Sequence, residues 1–275
     1  MTKQAFIDKY ARAFYGDNIS LERKFEEIAG LIYEGVGGST TMVIVNTVAE
    51  LEAAIAAQTA GQFIYIRPGS YTLTESLTIL LAATGGGLVG IGTVELTGAA
   101  AADEAILIDP AVATATFEYS LTNINVKGGA DKIALNVANT ATAKKVNVYL
   151  KDVGLEDNGT GKALTAINTD GSNAIRIYWN GGSVDGMAIT PKDTGDRLIL
   201  TNVSIDENLV AAVVDVVASY FFKQCKIPVT GMTGGHANNV ISVVGCWTEA
   251  VEYVPVLPAG TDFPGEFSAT ILPAS

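Results

Sequence analysis

The residues of this chain best suited to chemistry are carboxylates that recur along its second half. Glu156, Asp185 and Asp206 each directly follow an apolar residue, and Asp157 and Glu207 extend the first and the third of these positions. The three positions are 29 and 21 residues apart. Glycosidases use two carboxyl groups, about 5–5.5 Å apart in retaining enzymes and about 6.5–9.5 Å apart in inverting ones. Such chemistry requires a fold that brings carboxylates this distant in sequence side by side.

These carboxylates belong to a pattern that the chain repeats six times. Each copy has four positions: a mostly apolar reference residue, a residue two positions before it, and apolar residues five and seven positions before it. Glu156, Asp185 and Asp206 each stand one position after the reference residue of their copy. Spacings of two fit a strand, and the spacing of three between the pairs indicates a corner. An earlier copy fits with Val89, Ile91, Val94 and Leu96. The reference residues are Val126, Leu155, Val184, Ile205, Ile227 and Thr248, and the residues five before them are Leu121, Leu150, Trp179, Leu200, Phe222 and Val243.

The copies recur at intervals of 30, 29, 29, 21, 22 and 21 residues. This period, with strands and one apolar face per copy, indicates a solenoid. The pattern resembles the right-handed parallel β-helix of the pectate-lyase-like superfamily. The resemblance implies an all-β fold in which each copy is one coil, stacked on the next at about 4.8 Å. A third strand per coil is expected between the copies, at 133–137, 163–167, 187–189 and 209–217.

The beginning of the repeated region also resembles that superfamily. Thr47 and Glu50 form a capping box, which predicts the start of a helix that Gly61 is expected to end. An apolar strand and a Pro-Gly-x-Tyr segment follow at 63–71. The helix would cover the open end of the stack, where unpaired strand edges otherwise invite aggregation. We expect the parallel β-helix to span 41–250 and an extended C-terminal tail to follow at 251–275. The apolar stripe of the helix comprises Val48, Leu51 and Ile55.

Three interpretations of the acidic positions stay open. Stacking places Asp185 and Asp206 about 5 Å apart and Glu156 about twice that distance from Asp206. An enzyme would therefore use Glu156, Asp185, Asp206 and Glu207. The resembled lyases hold Ca²⁺ with clustered carboxylates beside an Arg or Lys base, which implies a cation site as the second interpretation. The third is a solvated edge, because a parallel stack forms such a row wherever one position faces water. The edge carries no Arg and is expected to lack a basic partner, so we predict no catalytic residue, no metal site and no cofactor.

Residues 1–40 follow a helical pattern instead of a strand pattern. Two apolar stripes at helical spacing are followed by the Gly-rich joint 36–40. Two heptads alone are marginal in water. We therefore expect this arm to dock on sister subunits or on a larger assembly, and packing on its own domain is the alternative. The predicted partner-binding residues are Phe6, Tyr10, Phe14, Leu21, Phe25, Ile28 and Ile32.

Composition and charge exclude several classes of partner. The net charge of −12 over 275 residues argues against nucleic acid and anionic membranes. Residues 1–12 contain no apolar segment typical of a secretory signal.

Cys225 and Cys246 share one column of adjacent copies, where stacked reduced thiols are expected, although a disulfide would also fit. The single histidine, His236, has no ligand motif near it in sequence.

Together these features favour a structural protein without enzymatic activity. A short β-helix, a leading helical arm and an acidic surface resemble the virion proteins of tailed phages. The resemblance implies a homotrimeric capsid decoration or head fibre located in the virion, with phage capsid proteins as partners and host-surface carbohydrate as a further ligand. The alternative is a polysaccharide-cleaving or polysaccharide-binding protein similar to a tailspike, acting as a lyase or hydrolase.

Overall fold

The computed structural model describes residues 43–79, 85–110, 116–139, 145–159, 162–168, 174–206, 209–211, 218–227, 232–234 and 240–247. The chain divides into two units, residues 1–42 and 43–275, and every described residue belongs to the second. The predicted helical arm, the joint at 36–40 and the tail at 251–275 lie outside the described residues.

The described part of the chain is an all-β protein with one short helix, α1 (Val48–Ala56). Its strand pairings are parallel. The strands are β1 (Val43–Val45), β2 (Phe63–Ile66), β3 (Gly69–Thr72), β4 (Leu77–Ile79), β5 (Gly87–Gly90), β6 (Val94–Thr97), β7 (Glu104–Ile108), β8 (Thr116–Thr122), β9 (Asn125–Lys127), β10 (Ile133–Asn139), β11 (Lys145–Glu156), β12 (Leu164–Asn168), β13 (Ala174–Val184), β14 (Met187–Thr190), β15 (Arg197–Ile205), β16 (Leu209–Ala211), β17 (Ser219–Lys223), β18 (Met232–Gly234) and β19 (Val240–Val244).

The strands form two sheets that the chain visits in alternation. The larger sheet has a long arm in the order β1-β2-β5-β8-β11-β13-β15-β17-β19 and a short arm, β3-β6-β9, which joins it at β11. The smaller sheet has the order β4-β7-β10-β12-β14-β16-β18. From β2 to β10 the chain passes in turn through the long arm, the short arm and the smaller sheet. Within the described residues neither sheet closes on itself.

The strands predicted between the sequence copies belong to the smaller sheet. β10, β12 and β14 confirm the strands predicted at 133–137, 163–167 and 187–189 within one or two residues at each end. The fourth prediction is confirmed at β16, and its remainder, 212–217, lies outside the described residues.

The inward-facing columns of the larger sheet build the core. The residues predicted five positions before the references pair in register from β8 to β17. None of them is more than 3% exposed, so the predicted column is confirmed. The burial of each such side chain stabilises the fold by about 1.5–3 kcal/mol through the hydrophobic effect. The column comprises Leu121, Leu150, Trp179, Leu200 and Phe222.

The earlier copy of the pattern is only partly in register. Leu96 pairs with Val126 as predicted, but Leu88 and not Ile91 pairs with Leu121. Val89 pairs with Thr122 and is only half-buried, whereas Leu88 is fully buried. The prediction for Val89 and Ile91 is wrong because this copy is longer at its corner. Leu88 and Leu96 are eight residues apart, against five for Leu121 and Val126.

A residue with left-handed backbone conformation stands at the corner of five consecutive copies of the pattern. Asn123, Asp152, Asn202 and Gln224 have φ between +52° and +55°, and Gly181 has φ of +77°. Asn, Asp and Gly adopt this conformation more readily than other residues. Each lies three positions before a reference residue, where the sequence spacing predicts a corner. Asn123 thus directs the chain from β8 into β9, and Asp152, Gly181 and Asn202 form the same corner within the long strands β11, β13 and β15.

Gly182, which is exposed, stands in register between two buried valines of neighbouring strands. It pairs with Val153 on one side and with Val203 on the other. Its φ is +103°, and a Cβ at this position would collide with the Val153 carbonyl oxygen. Only glycine fits this close approach of two backbones.

Helix α1 begins as predicted and covers the first strand of each sheet. Thr47 Oγ1 accepts the Glu50 N–H at 3.2 Å, and the Glu50 carboxylate accepts the Thr47 N–H at 3.2 Å, which completes the capping box. The helix packs on β1, β2 and β4, and β1 and β4 are the terminal strands of the two sheets. The helix ends at Ala57, whose N–H donates to Ala53 O at 3.1 Å. The prediction that Gly61 ends it is wrong, because Gly61 lies in the following turn with φ of +74°.

Candidate functional site

The acidic edge, which we define as Glu156, Asp185 and Asp206, forms where three neighbouring strands end. Glu156 is the last residue of β11, and Asp185 and Asp206 directly follow β13 and β15. The backbone hydrogen bonds between neighbouring strands continue through Asp185 and Asp206. The Asp185 N–H donates to Leu155 O and the Asp206 N–H donates to Val184 O, both at 3.0 Å. The preceding reference residues are fully buried, so the strand alternation turns the three carboxylates outwards. The structure therefore brings together three of the four predicted carboxylates, and Glu207 lies outside the described residues.

Lysines pair with both ends of this acidic edge. Lys127 Nζ lies 3.5 Å from Glu156 Oε2, with both side chains largely exposed. Lys226 Nζ lies 2.6 Å from Asp206 Oδ1, which also accepts the Ser204 hydroxyl at 2.9 Å. The expectation of an edge without a basic partner is therefore wrong. The sequence reasoning missed Lys226 because it stands one position before a reference residue, and the register brings it beside the edge.

Asp185 lies between these two ion pairs, and its environment differs from that of Asp206. Partial burial raises the pKa of Asp185, and the negative charges of Asp206, Glu156 and Asp157 raise it further. The hydrogen bond from the Asp157 N–H lowers the pKa but does not cancel these effects. Partial burial would also raise the pKa of Asp206, but the Lys226 and Ser204 hydrogen bonds and the Lys226 charge lower it below its usual value. Neighbouring carboxyl groups with diverging pKa values are a pattern that acid–base pairs share.

The contacts of the acidic edge limit what it can do chemically. Asp157 accepts the N–H groups of Gly159 and Lys162 at 3.0 and 3.3 Å, so it stabilises a turn. Asp206 is already occupied by Lys226 and Ser204. In the part of the chain that the structure describes, no group of three His, Cys, Asp or Glu residues is arranged to hold a metal ion. A solvated row of partly paired carboxylates agrees best with these contacts.

A pair of stacked tyrosines on the outer face of the long arm is a second candidate site. The rings of Tyr149 and Tyr178 are 5.1 Å apart between centroids and inclined by 13°. Tyr149 is 39% exposed, and its hydroxyl donates to Glu118 Oε1 at 3.2 Å, which also accepts the Asn147 amide at 3.2 Å. Sequence reasoning missed this pair, although both tyrosines stand six positions before a reference residue. Their shared column was the signal that could have found them.

Asp196 is a buried carboxylate that sequence reasoning also missed. It is 4% exposed and accepts the N–H groups of Ile175, Lys192 and Asp193 at 2.6, 2.7 and 2.9 Å. Both of its oxygens also lie within hydrogen-bond distance of the Asn168 amide, at 2.9 and 3.1 Å. Burial raises the pKa of Asp196, and these hydrogen bonds oppose that effect. The residue joins β12, β13 and the turn before β15, which is a structural task.

A small cavity adjoins Asp196 and does not include the acidic edge. It measures about 20 Å³ and is lined by aliphatic side chains and by polar residues that include Asn168, Asp196, Arg197 and Tyr220. Such a volume holds about one water molecule. The buried Tyr220 hydroxyl has no hydrogen-bond partner among the described residues. The cavity is too small for a sugar ring, so it offers no substrate pocket.

The remaining predicted sites fall partly outside the described residues. The seven arm residues from Phe6 to Ile32 and His236 lie outside them. Cys225 and Cys246 lie in register as predicted, and both are free thiols. Cys225 is buried, whereas Cys246 is partly exposed. Within the described ranges the structure has no helix of the length and apolar character needed to cross a membrane.

No protein-family model, no curated protein and no solved structure matches the chain.

Proposed function

We propose that the chain is a right-handed parallel β-helix with a structural, non-enzymatic role in the virion of a tailed phage. The observation that carries the fold proposal is the order of the strands. Long arm, short arm and smaller sheet follow one another three times from β2 to β10, always in parallel register. One coil of a three-faced β-helix has this order, and in the second and third of these coils a left-handed residue, Gly92 or Asn123, stands between the first two faces.

The non-enzymatic role is supported by the state of the polar groups. The carboxylates of the acidic edge are engaged with Lys127, Lys226, Ser204 or the backbone. Asp196 is saturated by backbone and amide donors beside a cavity of about 20 Å³. These polar groups therefore form ion pairs and hydrogen bonds within the protein, which suits a rigid element of a larger assembly.

The assembly role is supported by the sequence of residues 1–40. The apolar stripes of this arm are too short to be stable helices in water on their own. Burying several of its aromatic side chains at about 25 cal/mol per Å² provides the binding free energy, and three arms acting together multiply it. In the proposed assembly a homotrimer attaches through its arms to phage capsid proteins as a capsid decoration or a head fibre.

The virion role is tested by antibody labelling. Antibodies raised against residues 43–247 are added to purified particles and to the particle-free supernatant of the same lysate. Labelling of intact particles is expected, with electron microscopy locating it on the capsid. Recovery of the chain only in the supernatant contradicts the proposal.

Binding of host-surface polysaccharide is the second candidate function, and the stacked tyrosines favour it. Tyr149 offers an exposed aromatic ring next to the Glu118 and Asn147 side chains, a mixture that suits the apolar face and the hydroxyl groups of a sugar. The test is a glycan array with the full-length chain, Tyr149→Ala and the control Ile167→Ala, which alters a side chain of equal 39% exposure on the smaller sheet. Loss of binding in Tyr149→Ala alone supports this function, and no glycan bound by any variant rejects it.

Polysaccharide cleavage is tested on the same material. Capsular and pectic polysaccharides are incubated with the chain, with and without Ca²⁺, and we expect no new reducing ends or unsaturated products. Turnover that disappears in Asp185→Asn or Asp206→Asn would establish the enzyme interpretation instead.

A further inference from the structure

The two cysteines form a thiol pair with unequal environments. Lys223 pairs with Val244 at the end of β17, and Lys226 forms a parallel bridge with Trp247. Cys225 and Cys246 are the residues that this register places opposite each other. The Trp247 N–H donates to Cys225 O at 3.0 Å, which fixes the two backbones around the pair. Register partners of parallel strands have Cα atoms about 4.8–5 Å apart, within the range of about 4.4–6.8 Å that a disulfide spans.

The hydrogen bonds of the pair differ between the two sulfurs. The Cys225 backbone N–H donates to Cys246 Sγ at 3.4 Å. The Cys225 thiol lies 3.3 Å from Lys223 O, and the Cys246 thiol 3.6 Å from Val244 O. Cys225 is completely buried and Cys246 is partly exposed. A reagent in solution therefore reaches Cys246 first.

The ionisation of the two thiols follows from this arrangement. The adjacent Cys225 side chain and the Cys225 backbone N–H, which donates to Cys246 Sγ, lower the pKa of Cys246 against the opposing effect of burial. The adjacent Cys246 side chain, together with burial, raises the pKa of Cys225. The charged residues that flank Cys225 along the chain are Lys223, which is exposed, and Lys226, which pairs with Asp206.

We propose that Cys246 is a site of thiol–disulfide exchange and that Cys225 resolves the adduct into an internal disulfide that joins two adjacent strands. In the first step the Cys246 thiolate attacks one sulfur of a small organic disulfide. The reagent's S–S bond breaks, and its other half leaves as a thiolate. In the second step Cys225 gives its proton to solvent and its sulfur attacks Cys246 Sγ. The bond to the reagent breaks and its second half leaves, so both protein thiols are oxidised and the reagent is reduced.

The structure assigns the nucleophile to Cys246 for two reasons. Cys246 is the more exposed sulfur, and the Cys225 N–H that donates to it stabilises its thiolate and lowers its pKa below that of an ordinary cysteine. Cys225 is protonated and buried, so it attacks only a sulfur that is already beside it. The proposal is independent of the proposed virion role, because it rests on this pair alone.

The experiment uses the folded full-length chain and hydroxyethyl disulfide, a neutral probe that the negative charge of the protein neither attracts nor repels. The rate of thiol loss is measured between pH 5 and 10, and products are identified by mass spectrometry of the intact chain. In the wild type we expect a rate that is half-maximal below about pH 8.5, the pKa of an ordinary cysteine, and a final product without free thiols and without adduct.

Two substitutions of the resolving residue separate the steps. Cys225→Ser and Cys225→Ala both keep the backbone N–H that donates to Cys246 Sγ, but neither can form a disulfide. In both variants the adduct on Cys246 should therefore persist, while the pH profile of the first step stays near that of the wild type. Cys246→Ser should leave Cys225 unreactive until the protein unfolds, with a rate lower by at least about 100-fold.

Several outcomes overturn the proposal. A wild-type chain that keeps the adduct on Cys246 shows that Cys225 does not resolve it. A native chain that reacts only after addition of denaturant shows that Cys246 is not an exchange site. The wild type decides both points, so a variant that fails to fold does not remove the test.

Discussion

Replacing Asp196 with Ala is expected to destabilise the protein strongly, because its carboxylate is a buried hydrogen-bond acceptor. The substitution leaves four donors without their acceptor: the backbone N–H groups of Ile175, Lys192 and Asp193, and the Asn168 side-chain amide. A buried donor that loses its partner costs about 1–3 kcal/mol. Water entering the vacated space keeps each cost near the lower limit, so we expect a loss of about 4 kcal/mol.

The matched control is Asp193→Ala in the same turn. The Asp193 carboxylate accepts the Gly195 N–H at 2.6 Å in a partly buried position, so its removal should cost about 1 kcal/mol or less. Both variants are compared with the wild type by guanidinium denaturation followed by far-ultraviolet circular dichroism. A loss for Asp196→Ala no larger than that of the control would refute the claim that this carboxylate joins three segments.

Three further substitutions test the core and the acidic edge. Leu200→Asp should cost at least about 4 kcal/mol, because it buries an unpaired charge in the central column, and an unchanged Tm would contradict the stacked core. Asp185→Asn should leave stability at pH 7 equal or up to about 1 kcal/mol higher. The raised pKa of Asp185 means that its favourable contribution exists below about pH 3.9 and is lost as the pH rises through the folded-state value. Asp206→Asn should lower stability at pH 7 by up to about 1 kcal/mol, because the lowered pKa of Asp206 means that its contribution exists above about pH 3.9 and is lost as the pH falls through the folded-state value. Denaturation curves at pH 7 and pH 3 check both signs, and the same sign for both variants at pH 7 would contradict the distinct environments of the two carboxylates.

The repeated strands could be predicted from the sequence because burial and backbone conformation constrain the same positions in every copy. The central core column needs an apolar residue in every strand, as Leu150, Trp179 and Leu200 illustrate. Each corner favours a residue that tolerates positive φ, such as Asn123 or Asn202. The first copy was less predictable. Its corner is longer, and the alternation of Leu88 and Val89 alone does not say which of two adjacent apolar residues faces the core.

For the candidate site, the sequence predicted which carboxylates line up along the strands but not all of their side-chain contacts. The register brought Glu156, Asp185 and Asp206 together as expected, since one position per strand follows from the period. The Lys226 pair could not be predicted in the same way, because its long side chain reaches an adjacent strand from a different column. Lys127, in contrast, stands in the same column as Glu156. Asp196 lies in a turn outside the repeated positions, so its buried network leaves no periodic trace.

The arm of residues 1–40 has a testable consequence that the fold alone does not determine. The capping helix α1 already covers the terminal strands β1 and β4. A chain without residues 1–34 should therefore keep its β-type circular dichroism spectrum. Unfolding of this truncated chain would show that the arm belongs to the core of the fold.

The central claim, a structural protein that assembles through its arm, is tested most directly by light scattering of the full-length chain and of the chain without residues 1–34. For the full-length protein the account predicts three times the chain mass of 28.6 kDa. For the folded truncated protein it predicts a smaller oligomer or a monomer. A monomeric full-length chain, or a trimer that persists after truncation, would contradict assembly through the arm.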